Sequence, residues 1–161
     1  MSLEQPTLLP SARLAQAGLT LPAVPSPVAA YLPARAGAGQ VVTSGQLPFE
    51  GGALSVTGKV GDAVSPDVAA HLARIAALNA VAAAAAVAGG VDRIAKVIKL
   101  VVYVASDPSF TGQPAVANGA SELLQTVFGE AGVHARSAVG VAVLPLDAPV
   151  ELELTVEVDP D

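Results

Sequence analysis

"VELELTVEV", residues 150–158, decides the fold. Val150, Leu152, Leu154, Val156 and Val158 take every second position, and Glu151, Glu153, Thr155 and Glu157 fill the gaps. A period of two belongs to a strand with one dry face and one wet face. Such a pattern fixes the facing of the whole strand, because a slip of one residue would turn every aliphatic side chain to water. A strand is therefore predicted over 149–158, preceded by another over 137–143. "AKVIKLVVYVAS" (95–106) reads as a third, since β-branched residues dominate it.

Helices fill the space between these strands. "QPAVANGASELLQTVFGEAG" (113–132) turns Leu123, Leu124, Val127 and Phe128 inward and stops at its closing glycines. Further upstream lies the clearest helix in the chain. Ser65 caps it, Pro66 suits its first position, Asp67 complements its dipole and Gly89-Gly90 ends it. Val68, Leu72, Ile75, Leu78 and Ala82 form its apolar stripe, and "AVAAAAAVA" (80–88) has so little bulk that its backbone can lie close to a sheet. Toward the N-terminus, "GQVVTSGQLP" (39–48) carries a short strand and "ALSVTGKVG" (53–61) a hairpin-like excursion. The prolines of "LTLPAVPSPVAAYLPA" (19–34) make it extended and irregular, and "SARLAQAG" (11–18) is a short helix with Ser11 as N-cap and Gly18 as terminator.

The order β-β-(β)-α-β-α-β-β implies an α+β sandwich, with two helices packed on one face of a mixed sheet. The opposite face, around Val101 and Tyr103, is expected to be aliphatic and to be covered by self-association. The chain divides into an N-terminal extension with a short helix (1–25) and a single domain (26–161).

Composition narrows the function. With 161 residues, 52% hydrophobic and 14% charged, the chain has the material for one packed domain and not for a disordered segment. A net charge of −6 and 3% aromatics argue against a general nucleic-acid binder, which needs a basic face and rings for base stacking. The absence of cysteine removes disulfides, thiolate catalysis and cysteine-ligated metals. "MSLEQPTLLP" has an acid where a signal peptide would carry positive charge, and the longest uncharged stretch, Ile75–Val91, is short for a membrane span. A soluble cytoplasmic protein is expected, with no membrane partner.

Few residues can carry chemistry. There are two histidines and no HExxH spacing, so no metal is expected; no GxxxxGK[ST], GxGxxG or GxSxG pattern is present, so no nucleotide cofactor is expected either. His71 belongs beside an apolar helix stripe and reads as structural or surface, whereas His134 adjoins the more informative Arg136. Arg136 opens an otherwise apolar strand with no lysine nearby. Its planar fork suits one carboxylate or phosphate, or else an internal salt bridge to a glutamate of 150–158. Spacing alone leaves both open. Glu151, Glu153 and Glu157 are likewise either a solvated strand face or the source of one proton carrier.

Longer words in the sequence add what spacing lacks. "PVAAYLPA", "VVTSGQLP", "LNAVAAAAA", "VIKLVVYVAS" followed by Phe110, "VANGASELL", "HARSAVGVAVLPL" and "VELELTVEV" together resemble the Rid family, also called YjgF-type or endoribonuclease L-PSP proteins. The segment "FEGGALSVTGKVG" and the "NGASELL" helix make it similar to a longer-chain branch. The resemblance implies a chorismate-mutase-like fold and a homotrimer with ligand clefts between subunits. It also implies hydrolysis of 2-aminoacrylate-type enamines and imines to 2-keto acids and ammonia, without a cofactor. It places the carboxylate-binding arginine at Arg136 and the glutamate associated with the catalytic water at Glu151. Tyr31, Ser44, Gly45 and Asn118 become the remaining cleft residues. Two positions depart from the pattern: Ala138 stands where a cysteine is common, and Ser121 where an aromatic residue is common. The alternatives are a non-catalytic binder of small carboxylates and, least supported by the acidic composition, a ribonuclease.

Overall fold

The protein is described by a computed structural model covering residues 8–26 and 29–160. The charge reading of residues 1–7 and the first two residues of "PVAAYLPA" lie outside these. In chain order the elements are α1 (Pro10–Gln16), β1 (Ala34–Gly37), β2 (Gln40–Thr43), β3 (Phe49–Glu50), β4 (Ala53–Leu54), α2 (Pro66–Ala88), β5 (Ile94–Ala105), α3 (Gln113–Phe128), β6 (Ala135–Val141) and β7 (Val150–Val158).

Five strands form one mixed sheet in the order β1-β2-β7-β5-β6, and β3 and β4 form a separate hairpin. β7 runs antiparallel to both β2 and β5. β6 is parallel to β5, so α3 serves as the crossover that such a pair requires. As the alternation dictates, Val150, Leu152, Leu154 and Val156 are buried, and Leu100, Val102 and Val104 of β5 join them. Leu72 from α2 and Leu123 and Leu124 from α3 complete this layer. Each buried leucine contributes about 1.5–3 kcal/mol relative to an exposed one.

α2 shows how a nearly featureless sequence packs. Ser65 accepts from the Val68 N–H and Gly89 ends the helix in the left-handed region, as expected. The buried face is broader than the anticipated stripe, of which Leu72 and Ala82 are buried and Ile75 and Leu78 pack on the core. It runs through Ala69, Ala73, Ala76, Ala77, Ala80 and Ala84 around Leu72 and Val81, while Val68 is 41% exposed. Alanine on the contact face lets the backbones approach, which buries more of the helix than a bulkier stripe would. α2 is long and apolar enough to cross a membrane, yet 61% of its most apolar window is buried inside the protein, as befits a core helix.

Three expectations need correction. Ser11 does not cap α1 with its own side chain: it lies inside the first turn, and its N–H and Oγ both donate to the Asp92 carboxylate, at 2.8 and 2.6 Å. An acid from across the fold thus satisfies the helix start. The hairpin lies at 49–54 rather than 53–61, turning at Gly51-Gly52. The sheet face away from the helices is mixed rather than aliphatic, with Val42 and Val139 exposed on it among polar neighbours. Lys99, Tyr103, Glu151, Glu153 and Thr155 alternate there with Val101, because the period of two has already sent the aliphatic set inward.

Candidate functional site

Strand pairing places Arg136 before any side chain is considered. In β6 it is level with Leu100 of β5, whose side chain is buried against the helices, so Arg136 rises on the helix face. Opposite stands α3, where Asn118 and Ser121, three residues apart, share a face. Gly119 between them permits this orientation. It lies directly against the Ala70 carbonyl of α2, where any Cβ would overlap, so α3 presses its glycine on α2 and turns its polar pair to β6.

Nη1 of Arg136 donates to Asn118 Oδ1 at 2.8 Å and to Ser121 Oγ at 3.2 Å. Both of its hydrogens are therefore used. Nη2 and Nε have no acceptor among the described residues, and neither does the guanidinium have a carboxylate in ion-pair range; the surface pair Lys96–Glu157, at 3.3 Å, lies elsewhere. The salt-bridge alternative for Arg136 thus fails within one chain. A half-buried arginine held by neutral acceptors keeps its full charge and one open edge, the fork geometry that pairs with a carboxylate.

Glu151 lies on the other face. It is level with Tyr103 in β5, and its carboxylate packs so closely on Gly45 that a Cβ at position 45 would overlap it. Ser44, next in sequence, donates its Oγ–H to the Leu32 carbonyl at 2.5 Å, which ties down the segment carrying Tyr31. Tyr31 itself is 61% exposed. Glu151 is pushed above the usual carboxylate range, first by burial and then by the neighbouring charge of Glu153. Tyr103 donates to Glu153 Oε1 at 3.1 Å, and its phenol is pushed up by burial and then by that bond and both glutamates.

The expected site residues therefore fall into two groups. Arg136 and Asn118 are in direct contact on the helix face. Glu151, Gly45 and Ser44, with Tyr31 beside them in the chain, gather on the far side of the sheet. One chain does not bring the groups together. Cavities of about 510 Å³ by the β1–β2 turn and about 520 Å³ between Pro22–Pro25, the β3–β4 hairpin and α2 contain neither Arg136 nor Glu151.

A family model described as "YjgF/chorismate_mutase-like, putative endoribonuclease" matches residues 11–158. The chain belongs to the YjgF family. This YjgF chain is 43% identical over 150 residues to Protein TCP17 of Trypanosoma cruzi, spanning 92% of this chain and 94% of that one. It is 45% identical to Atu1372 of Agrobacterium tumefaciens, a protein described as of unknown function, with a TM-score of 0.84 over 93% of this chain and 92% of the other. A Shewanella oneidensis protein, described as a "putative endoribonuclease", is 33% identical with a TM-score of 0.89 over 94% of this chain and 100% of its own. The expected YjgF fold, a mixed sheet with helices on one face, is the one observed.

Sequence reasoning missed how much of this candidate site is built around its named residues. Ser121 entered only as a departure, yet it touches both Arg136 and His134. His134 immediately precedes β6, two residues before Arg136, and in an extended chain that spacing keeps both on one side, a signal that was available. Tyr103 and Glu153 were not linked to Glu151, because that needs the β5–β7 register. His71 is exposed on α2 and takes no part.

Proposed function

We propose that this YjgF-family chain hydrolyses small enamines and their imine tautomers to 2-keto acids and ammonia, in a homotrimer whose clefts each draw on two subunits. One observation carries the reading: the open Nε–Nη2 edge of an Arg136 held only by neutral acceptors. The division of the site supports the assembly. Since Arg136 and Glu151 lie on opposite faces of one sheet, only another copy could set Glu151 against Arg136. A contact of this kind joins different surfaces of two copies, and rings close it.

The chemistry asks little of the protein. Arg136 holds the substrate carboxylate and fixes the imine carbon, a gain in orientation rather than in reactivity. Water attacks that carbon while Glu151 takes its proton; a carboxyl raised by burial and by Glu153 is the better acceptor. The new C–O bond makes a carbinolamine. Glu151 returns that proton to the nitrogen and then carries the carbinolamine hydroxyl proton to the same nitrogen; as the C=O bond forms, the C–N bond breaks with its electron pair leaving on ammonia, and the 2-keto acid remains. Water and imine go in, keto acid and ammonia come out.

The test is ammonia release from freshly generated 2-aminoacrylate and larger imines. Catalysis above the uncatalysed rate supports the reading. Binding of 2-keto acids with no acceleration supports a carboxylate-binding protein that uses the same arginine. An endoribonuclease is the reading attached to the family description, and the acidic strand face with Glu151, Glu153 and Glu157 does not favour a polyanion there.

A further inference from the structure

We propose that Ser121 and His134 are positioning residues, a hydrogen-bonded strut that locks the Arg136 guanidinium with its Nε–Nη2 edge outward, so that a carboxylate is taken side-on by that edge. The proposal rests on the carboxylate-clamp reading of Arg136 and adds to it which edge binds and what holds it.

The direction of the strut follows from donor and acceptor chemistry. His134 Nδ1 lies 2.6 Å from the Gly132 carbonyl oxygen, which can only accept, so Nδ1 carries the hydrogen. In the neutral ring Nε2 is then the acceptor, and the group 3.0 Å away is Ser121 Oγ, which must donate its single hydrogen to it. The serine lone pairs are left to receive Nη1–H of Arg136 at 3.2 Å. Polarity therefore runs one way, from Arg136 through Ser121 and His134 to the Gly132 carbonyl.

The far end is fixed by the backbone. Gly132 packs against the Leu124 carbonyl of α3, where a Cβ would overlap, so the carbonyl that orients His134 belongs to the 129–132 turn pressed on the end of that helix. Asn118 Oδ1 takes the second hydrogen of Nη1. With one nitrogen clamped from two sides the guanidinium cannot spin about its Nε–Cζ bond without breaking both contacts. Three N–H groups remain, one on Nε and two on Nη2, and a planar carboxylate meets two of them in parallel along the free edge. Without a hydroxyl at 121 or an acceptor at 134, the clamp keeps its charge and loses its fixed plane.

The test uses the full chain, with pyruvate as probe and the ligand-free protein as internal reference. Ser121→Ala removes the middle of the strut. His134→Asn keeps a donor near the Gly132 carbonyl and loses the reach to Ser121; His134→Gln restores a group where Nε2 stood. In nitrogen-resolved NMR of the free protein, Nη1 and Nη2 of Arg136, assigned by their loss in Arg136→Lys, should give separate signals. These should merge in Ser121→Ala and His134→Asn and stay separate in His134→Gln. By calorimetry the first two should bind pyruvate about fivefold more weakly, as for one lost hydrogen bond, and the double variant no more weakly than either, because they act in series. Separate Arg136 signals in both broken-strut variants would overturn the proposal, as would unchanged pyruvate affinity in those variants while Arg136→Lys binds worse. Unchanged affinity in Arg136→Lys would instead remove the clamp, and the carboxylate role of the strut with it. A variant that melts early and binds normally would assign His134 to stability alone.

Discussion

Glu151→Gln is the change that separates an enzyme from a binder, because it keeps shape and hydrogen-bonding capacity while removing the base. Position 151 is crowded: the carboxylate presses on Gly45, so a larger substitution would move the strand end, whereas glutamine is isosteric. On the proposed mechanism the loss is that of general-base assistance, about 10²–10⁴ in rate, or about 3–5 kcal/mol of barrier. Stability should move the other way. The folded-state pKa of Glu151 is raised by burial and by Glu153, so the carboxylate weakens the fold where it is ionised. That contribution is favourable at pH below the unfolded-state value and is lost as pH rises through the folded-state value. Glu151→Gln should therefore melt higher than the parent at neutral pH, and the gap should close in acid. The assay is ammonia release from 2-aminoacrylate beside thermal melts at two pH values. Glu153 is a poor control, since it sits beside Glu151 and holds Tyr103. Glu157 is a good one, being paired with Lys96 on an exposed stretch at 3.3 Å. Equal, small effects on turnover at 151 and 157 would refute the reasoning.

Other outcomes follow from single contacts. Arg136→Lys should weaken pyruvate binding by about 1–3 kcal/mol in calorimetry, because lysine keeps the charge and loses the fork. Gly45→Ala should displace the Glu151 carboxylate and lower turnover while leaving pyruvate affinity intact, since the added Cβ meets Glu151 and not Arg136. Asn79 of α2 donates to the Leu47 and Phe49 carbonyls at 2.9 and 3.0 Å; Asn79→Ala should cost about 1–3 kcal/mol in urea denaturation by removing both bonds. Light scattering should return about 48 kDa, three chains of 15.9 kDa, and a monomer at micromolar concentration would remove the shared cleft.

What was legible in the sequence depended on how local the cause was. β7 was readable to within a residue, because alternation is a property of nine consecutive positions. α2 was bounded correctly by Ser65 and Gly89, yet its buried face was only partly assigned, since choosing among so many alanines requires knowing which neighbour approaches. β1 escaped notice because "ARAG" has no strand preference of its own; it pairs with β2 through a tight turn in which Ala38 and Gly39 both take positive φ, 51° and 76°. At the site, Arg136 stood out by its isolation, and Asn118 and Glu151 by resemblance. The opposite facing of Arg136 and Glu151 had to wait for β6 to be paired in parallel with β5, which fixes which residues share a side.

That opposite facing also governs how the molecule would behave in mixtures. A chain crippled at Arg136 still offers an intact Glu151, and a chain crippled at Glu151 still offers an intact arginine. On the proposed ring the two inactive proteins, unfolded together and reassembled in equal amounts, should regain about a quarter of the parent activity, the share of clefts that draw a sound residue from each side. Dilution should do the reverse and silence protein that is chemically whole. The functional unit would then be the boundary between chains, and selection on either face would act through the neighbour.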